Sequence, residues 1–226
     1  MNAVGCILKD SVVALCPDVE RETAQTTQLE YSESELWHSL LTCVLSSQVS
    51  FQLAESAANV TLEVLETTMG DEEFLADTLA AVLAAPLPCG RRYRFPNSRA
   101  SQIAATRWRF VERELSLAEL INESQPDCNL RARLIALVDG LGPKQASMFL
   151  RDIGRSMDLA ILDRHVLLFM DLLGLAPMPT RGLDWGAYLR HEAVFADFAH
   201  SLGHSVGHVD WAVWIVMRAA KREGLV

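Results

Sequence analysis

The chain has 226 residues, half of them apolar, enough for one large domain or two small lobes around a buried core. No apolar run approaches the roughly 18–20 residues of a membrane span. No basic segment precedes the short apolar pieces at residues 7–8 and 12–15, which Lys9 and Asp10 interrupt, so no signal peptide is expected and the protein is placed in the cytoplasm. The net charge of −9 is unevenly spread: residues 1–86 carry two basic and fourteen acidic side chains, residues 87–226 eighteen and fifteen. Any polyanionic partner therefore belongs with the second part.

Residues 1–30 are weakly patterned, with a turn at Cys16-Pro17-Asp18 and a polar stretch after it. They are expected to form an extension before the core fold, with room for one minor hairpin. Ser32, three residues before Glu35, is a capping box opening a helix with the stripe Leu36, Leu40, Val44 and Leu45, which Ser46-Ser47-Gln48 ends. Two more helices are predicted over residues 51–69 and 71–85, divided by Gly70 and closed by a proline-rich loop at 86–90. Asn97-Ser98 should cap a helix over 99–114, and another is predicted over 116–124. Nowhere does a sustained alternating run demand a sheet, so the fold class is all-α. The five cysteines are scattered, which suits reduced structural thiols, and none follows Cys128.

The stretch from 130 to 165 concentrates the chemistry. Leu130, Leu134, Leu137 and Val138 have helical spacing, Asp139-Gly140-Leu141-Gly142 breaks it, and Pro143 suits the first turn of a new helix whose apolar face is Ala146, Phe149, Leu150 and Ile153. A hairpin of this kind exposes backbone N–H groups at a helix N-terminus, where the dipole favours an anion, so a phosphate of DNA backbone is a natural ligand. Lys144 stands at the start of the second helix, where the dipole disfavours a cation and so favours the nucleophilic neutral amine. Asp163 precedes a helical run from Val166 onward, and as an N-cap carboxylate it would stay ionised and steady an oxocarbenium-like sugar.

Arg91, Arg92, Arg94, Arg99, Arg107, Arg109 and Arg113 form the main basic concentration, with Arg131, Arg133, Arg151 and Arg155 flanking the hairpin. After Asp163 the helix should run to about residue 173. Two more are predicted, over 185–202 and 209–222. His200, His204 and His208 recur every four residues, a metal-ligand spacing on a helix, but Gly203 and Gly207 argue for a turn there and no metal site is expected.

GLGPKQASMFLRDIG followed by AILDRH resembles the active-site region of the helix-hairpin-helix DNA glycosylases, most closely the compact archaeal and bacterial 8-oxoguanine DNA glycosylase/AP lyases. LLTCVLSSQVSFQLAESA and YRFPNSRASQIAATRWRF resemble an early helix with its polar turn and an RF-x-N-x-(K/R)-A segment of the same family. The resemblance covers roughly residues 34–226. It implies two helical lobes flanking a DNA-binding cleft: a central lobe over about 50–155 carrying the hairpin, and a second from 31–49 plus 156–226.

The resemblance also implies a function. Lys144 and Asp163 would be catalytic; Gly140, Leu141, Gly142, Gln48 and Arg99 would bind DNA, Gln48 by filling the gap left by a flipped nucleotide. Met148, Asp210, Trp211 and Trp214 would form the base pocket. Lys144 would attack C1′ of the deoxyribose, form a Schiff base and eliminate the 3′ phosphate, excising a damaged or modified purine, with 8-oxoguanine the expected base. No metal or organic cofactor is required, although hairpin carbonyls in this superfamily can bind a monovalent cation. The partner would be lesion-containing double-stranded DNA, met by a nucleoid-associated monomer. Two differences touch base recognition: the family typically ends in a lysine where this chain ends Arg222-Glu223-Gly224-Leu225-Val226, and Met148 stands where a polar residue is common. The alternative is a glycosylase fold repurposed for DNA binding in a defence or modified-base system, with the acidic N-terminal part as a protein-docking surface. A metal hydrolase centred on the histidines is a third.

Overall fold

A computed structural model describes residues 3–26, 31–68 and 70–226, and among these it contains eleven helices and one isolated bridge between Pro86 and Arg92. The all-α expectation holds. The chain divides into two compact units, residues 30–153 and residues 1–29 with 154–226.

The first unit is built from α2 (Glu33–Leu45), α3 (Phe51–Thr67), α4 (Glu72–Ala84), α5 (Pro96–Glu112), α6 (Leu117–Asn122), α7 (Asp127–Leu137) and α8 (Pro143–Asp152). The predicted capping box is present: Ser32 Oγ accepts from Glu35 N at 3.3 Å while Ser32 N donates to the Glu35 carboxylate at 2.8 Å. Behind it, Leu36, Trp37, Leu40, Leu41 and Val44 are all buried, and Trp37 meets Phe110 of α5 edge to face at 5.1 Å. α2 packs on α3 and on α8, and α7 packs on α8, so the hairpin helices share the core of this unit.

The second unit joins α1 (Ala3–Thr26) to α9 (Arg164–Leu172), α10 (Trp185–Ser201) and α11 (Val206–Arg222). Leu8, Val12, Cys16 and Val19 form one buried stripe along α1, which packs against α11 and shares a core with Val166, Phe169, Phe195, Val209 and Val213. Burial raises the Cys16 thiol to about 11, with Glu20 adding to the shift.

Three expectations change here. Residues 3–26 are one helix that is part of a core rather than a loose extension, because Pro17 sits inside the helix instead of breaking it. Residues 31–49 group with the hairpin unit instead of with 156–226, because the buried face of α2 is matched to α3 and α8. Finally, α5 begins at Pro96 with Phe95 as its N-cap, since proline at the first helical position leaves no role for the Asn97-Ser98 cap.

Candidate active site

The hairpin between α7 and α8 is fixed by residues of α5. Gly140 adopts φ +79°, and a Cβ there would meet Arg99 Nη1 and Gln102 Oε1, each at 2.4 Å. Arg99 Nη1 donates to Gly140 O at 3.2 Å, Thr106 Oγ1 accepts from Asp139 N at 2.9 Å, and Arg109 donates to Leu137 O at 2.6 Å while pairing with Asp139 at 3.2 Å. Leu141 is buried beneath the turn as its anchor. Gly142 is the N-cap of α8 and brings no side-chain cap. With Pro143 lacking an N–H, the amides of Lys144 and Gln145 head the helix without an intrahelical acceptor, an arrangement whose dipole favours an anion.

Lys144 is half-buried at the second position of α8, and Met148, also half-buried, follows one turn later on the same face. The charge of Lys144 reaches two neighbours. Burial pushes the Cys43 thiol well up and Asp152 adds to this, while Lys144 and Arg151 oppose it. Burial likewise raises the Asp152 carboxyl against Arg151 and Lys144, even though the outer part of that side chain is open.

The turn that ends α2 is tied to the same place. Gln145 Nε2 donates to Ser47 Oγ at 2.9 Å and Tyr93 OH donates to Leu45 O at 2.8 Å. Next to these ties Gln48 is exposed at φ +60°, a left-handed conformation that a non-glycine residue keeps only where its surroundings impose it.

The second unit presents Asp163. As the N-cap of α9 it accepts from His165 N at 2.7 Å and Val166 N at 3.0 Å, both through Oδ1, so Oδ2 takes no part in the cap. Around it, His165 is held below its ordinary pKa by burial first and then by Arg164, Lys221 and Arg218, against the pull of Asp163. Three cations thus act on this imidazole, with Asp163 as the opposing charge.

Several side chains assigned by sequence to DNA or base also make contacts within the protein. Asp210 is 1% exposed and accepts from Ile161 N at 2.5 Å, one turn inside α11. Trp211 is half-buried against the unit's core, and Trp214 carries Arg218 over its ring at 4.3 Å. Arg131 is fully buried and donates to Ser147 Oγ at 2.9 Å, tying α7 to α8. Arg133 pairs with Glu123 and Arg151 with Asp152. Arg99 serves the hairpin as its clamp. Charge counts could not reveal these uses, because they register the charges and not the groups that take them up.

The histidines sit around a turn, as their glycines implied: α10 ends at Ser201, Gly203 takes φ +80° and α11 begins at Val206. His204 pairs with Glu20 at 2.6 Å, and His208 bonds Ser205 at 2.7 Å and Thr23 at 2.8 Å, which fastens α1 to this turn. Among the described residues no group of three potential ligands is arranged to hold a metal ion.

A family model for 8-oxoguanine DNA glycosylase matches residues 19–204. The 8-oxoguanine DNA glycosylase/AP lyase of Sulfurisphaera tokodaii is 30% identical over 79% of this chain and 80% of its own length; that of Saccharolobus islandicus is 31% identical over 81% and 83%. The crystal structure of the 8-oxoguanine DNA glycosylase of Thermotoga maritima superposes with a TM-score of 0.68 over 93% of each chain at 27% identity. That of Methanocaldococcus jannaschii reaches 0.71 over 97% of this chain and 94% of that one at 21% identity, a likeness of fold. Hairpin, lysine and capping carboxylate stand on a chain matched over most of its length, and the chain belongs to the 8-oxoguanine DNA glycosylase family.

Proposed function

We propose that this protein is a bifunctional 8-oxoguanine DNA glycosylase/AP lyase acting on lesion-containing double-stranded DNA. The observation that carries the reading is Lys144 at the head of α8, directly after a phosphate-binding hairpin that three α5 side chains hold rigid. A base within a duplex is out of reach of any side chain, so the nucleotide must leave the stack, and Gln48 on its tied turn is the residue to fill the gap. The amides of Lys144 and Gln145 grip a backbone phosphate without reading sequence.

The chemistry follows from the two functional groups. Lys144 Nζ bonds to C1′ as the bond from C1′ to the base breaks and the base leaves with a proton. The sugar ring opens to a protonated Schiff base, a proton is lost from C2′, and the C3′–O bond breaks to release the 3′ phosphate. Asp163, with Oδ2 outside the helix cap, opposes the positive charge that builds on the sugar.

Borohydride trapping on an 8-oxoguanine duplex, with a plain abasic duplex alongside, tests the assignment. A covalent band on both is expected, and Lys144→Gln removes it while leaving DNA retention intact. A band on the abasic duplex alone would move the question to which base is excised. DNA retention without a band on either would leave a glycosylase fold used for binding only.

A further inference from the structure

The segment leading into Asp163 has no helix or strand of its own. Its residues Ala160, Ile161 and Leu162 are 0%, 5% and 5% exposed, so each backbone N–H must find an acceptor away from water. Three side chains supply one each. Glu192 Oε1 accepts from Ala160 N at 3.1 Å, Asp210 Oδ2 from Ile161 N at 2.5 Å, and Tyr188 Oη from Leu162 N at 3.2 Å. Tyr188 Oη also donates to Ala160 O at 2.7 Å.

The three acceptors are 9%, 1% and 3% exposed, a costly place for two acids and a phenol unless the bonds they make are needed. Their spacing is regular. Tyr188 and Glu192 stand one turn apart on α10; on α11, Asp210 stands one turn after Gly207, whose N–H donates to Met157 O at 2.7 Å. A Cβ at Gly207 would come within 3.1 Å of the Met157 backbone, so this helix and the segment touch main chain to main chain. Asp163 N in turn donates to Ile161 O at 2.6 Å, a tight turn that transmits any shift of Ile161 to the carboxylate two residues on.

We infer that Tyr188, Glu192 and Asp210 are positioning residues for Asp163: together they hold the peptide groups of residues 160–162 and so set where its carboxylate stands toward the sugar. The inference rests on the role proposed for Asp163 above. It predicts that loosening the segment slows chemistry and leaves DNA binding alone.

Tyr188→Phe deletes both Oη bonds and keeps the ring in the core, and Glu192→Gln keeps the side-chain shape. Each is measured by single-turnover excision of 8-oxoguanine and by affinity for an uncleavable abasic-analogue duplex. Tyr188→Phe is expected to lower the single-turnover rate roughly 10- to 100-fold, the scale of a misplaced reacting group, with Kd unchanged. Combined with Asp163→Asn, it should cost no further rate, because it acts only through that carboxylate. Wild-type rates for both Tyr188→Phe and Glu192→Gln would overturn the inference. So would an additive loss in the Asp163→Asn background, or a loss confined to affinity. An Asp163→Asn protein as fast as wild type would instead remove Asp163 from the reaction, and this positioning role with it.

Discussion

Gly140 concentrates the demands on the hairpin in one residue. Its φ of +79° costs an L-residue roughly 1–2 kcal/mol, and a methyl group there collides with the guanidinium that donates to its own carbonyl and with Gln102. Gly140→Ala should therefore displace Arg99 and unclamp the turn. The expected result is DNA affinity about tenfold weaker, equivalent to roughly 1.4 kcal/mol, with the lyase rate on an abasic duplex at saturating protein close to wild type. Titration of duplex DNA with each protein checks it, and unchanged affinity would remove the hairpin from the phosphate contact. At this scale Gly140, Lys144 and Asp163 were legible in the sequence, because a turn, a helix start and an N-cap are specified by neighbours a few residues away. Arg131 and Asp210 were not. Each is a charged side chain whose burial depends on a partner supplied by another element, Ser147 of α8 in one case and the Ile161 amide of an irregular segment in the other.

Helices in this protein are stabilised across elements as much as along them. α6 has six residues, too few to hold helical form alone. Its first turn is completed from α2, where Glu33 accepts from Leu117 N at 2.9 Å, Ala118 N at 2.8 Å and Ser116 Oγ at 2.9 Å, and also from Trp37 Nε1. Burial pulls the Glu33 carboxyl upward, but these donors outweigh it and the group lies below its ordinary value of 4.5. The unfolded chain thus takes up a proton here first as pH falls. The stabilisation is complete above about pH 4.5 and is lost as pH drops through the lower folded value. Glu33→Gln is expected to lower unfolding free energy at pH 7 by about 1–3 kcal/mol, and to flatten the acid side of the stability profile between pH 5 and 3. Denaturant melts across that range read both effects. The helix pattern itself was readable from periodicity, down to the capping box at Ser32. What periodicity could not show was that Glu33, in the first turn of one helix, caps another more than eighty residues away.

On the scale of the whole chain, charge is a poorer guide than its uneven spread implied. Most arginines expected to meet DNA have partners inside the protein: Arg92 reaches Ala84 O, Arg107 lies over Trp37, and Arg109 pairs with Asp139. The acidic first part is likewise divided between the units, α1 belonging to one and α2, α3 and α4 to the other. The place of α1 was missed because Cys16-Pro17-Asp18 resembles a turn, while the stripe at Leu8, Val12, Cys16 and Val19 crosses it without interruption. Neighbouring residues on this helix separate a core role from a solvated one. Leu8 is 3% exposed within the shared core, and Ile7 is 60% exposed. Leu8→Ala should cost about 2–5 kcal/mol, lowering the thermal midpoint by roughly 4–20 °C, while Ile7→Ala should leave it within a degree or so of wild type. Calorimetry of the two variants settles which face of α1 is buried. Equal midpoints would detach α1 from the unit that carries Asp163, and the fastening of Glu20 and Thr23 to the turn at His204 and His208 would then have no bearing on that unit's stability.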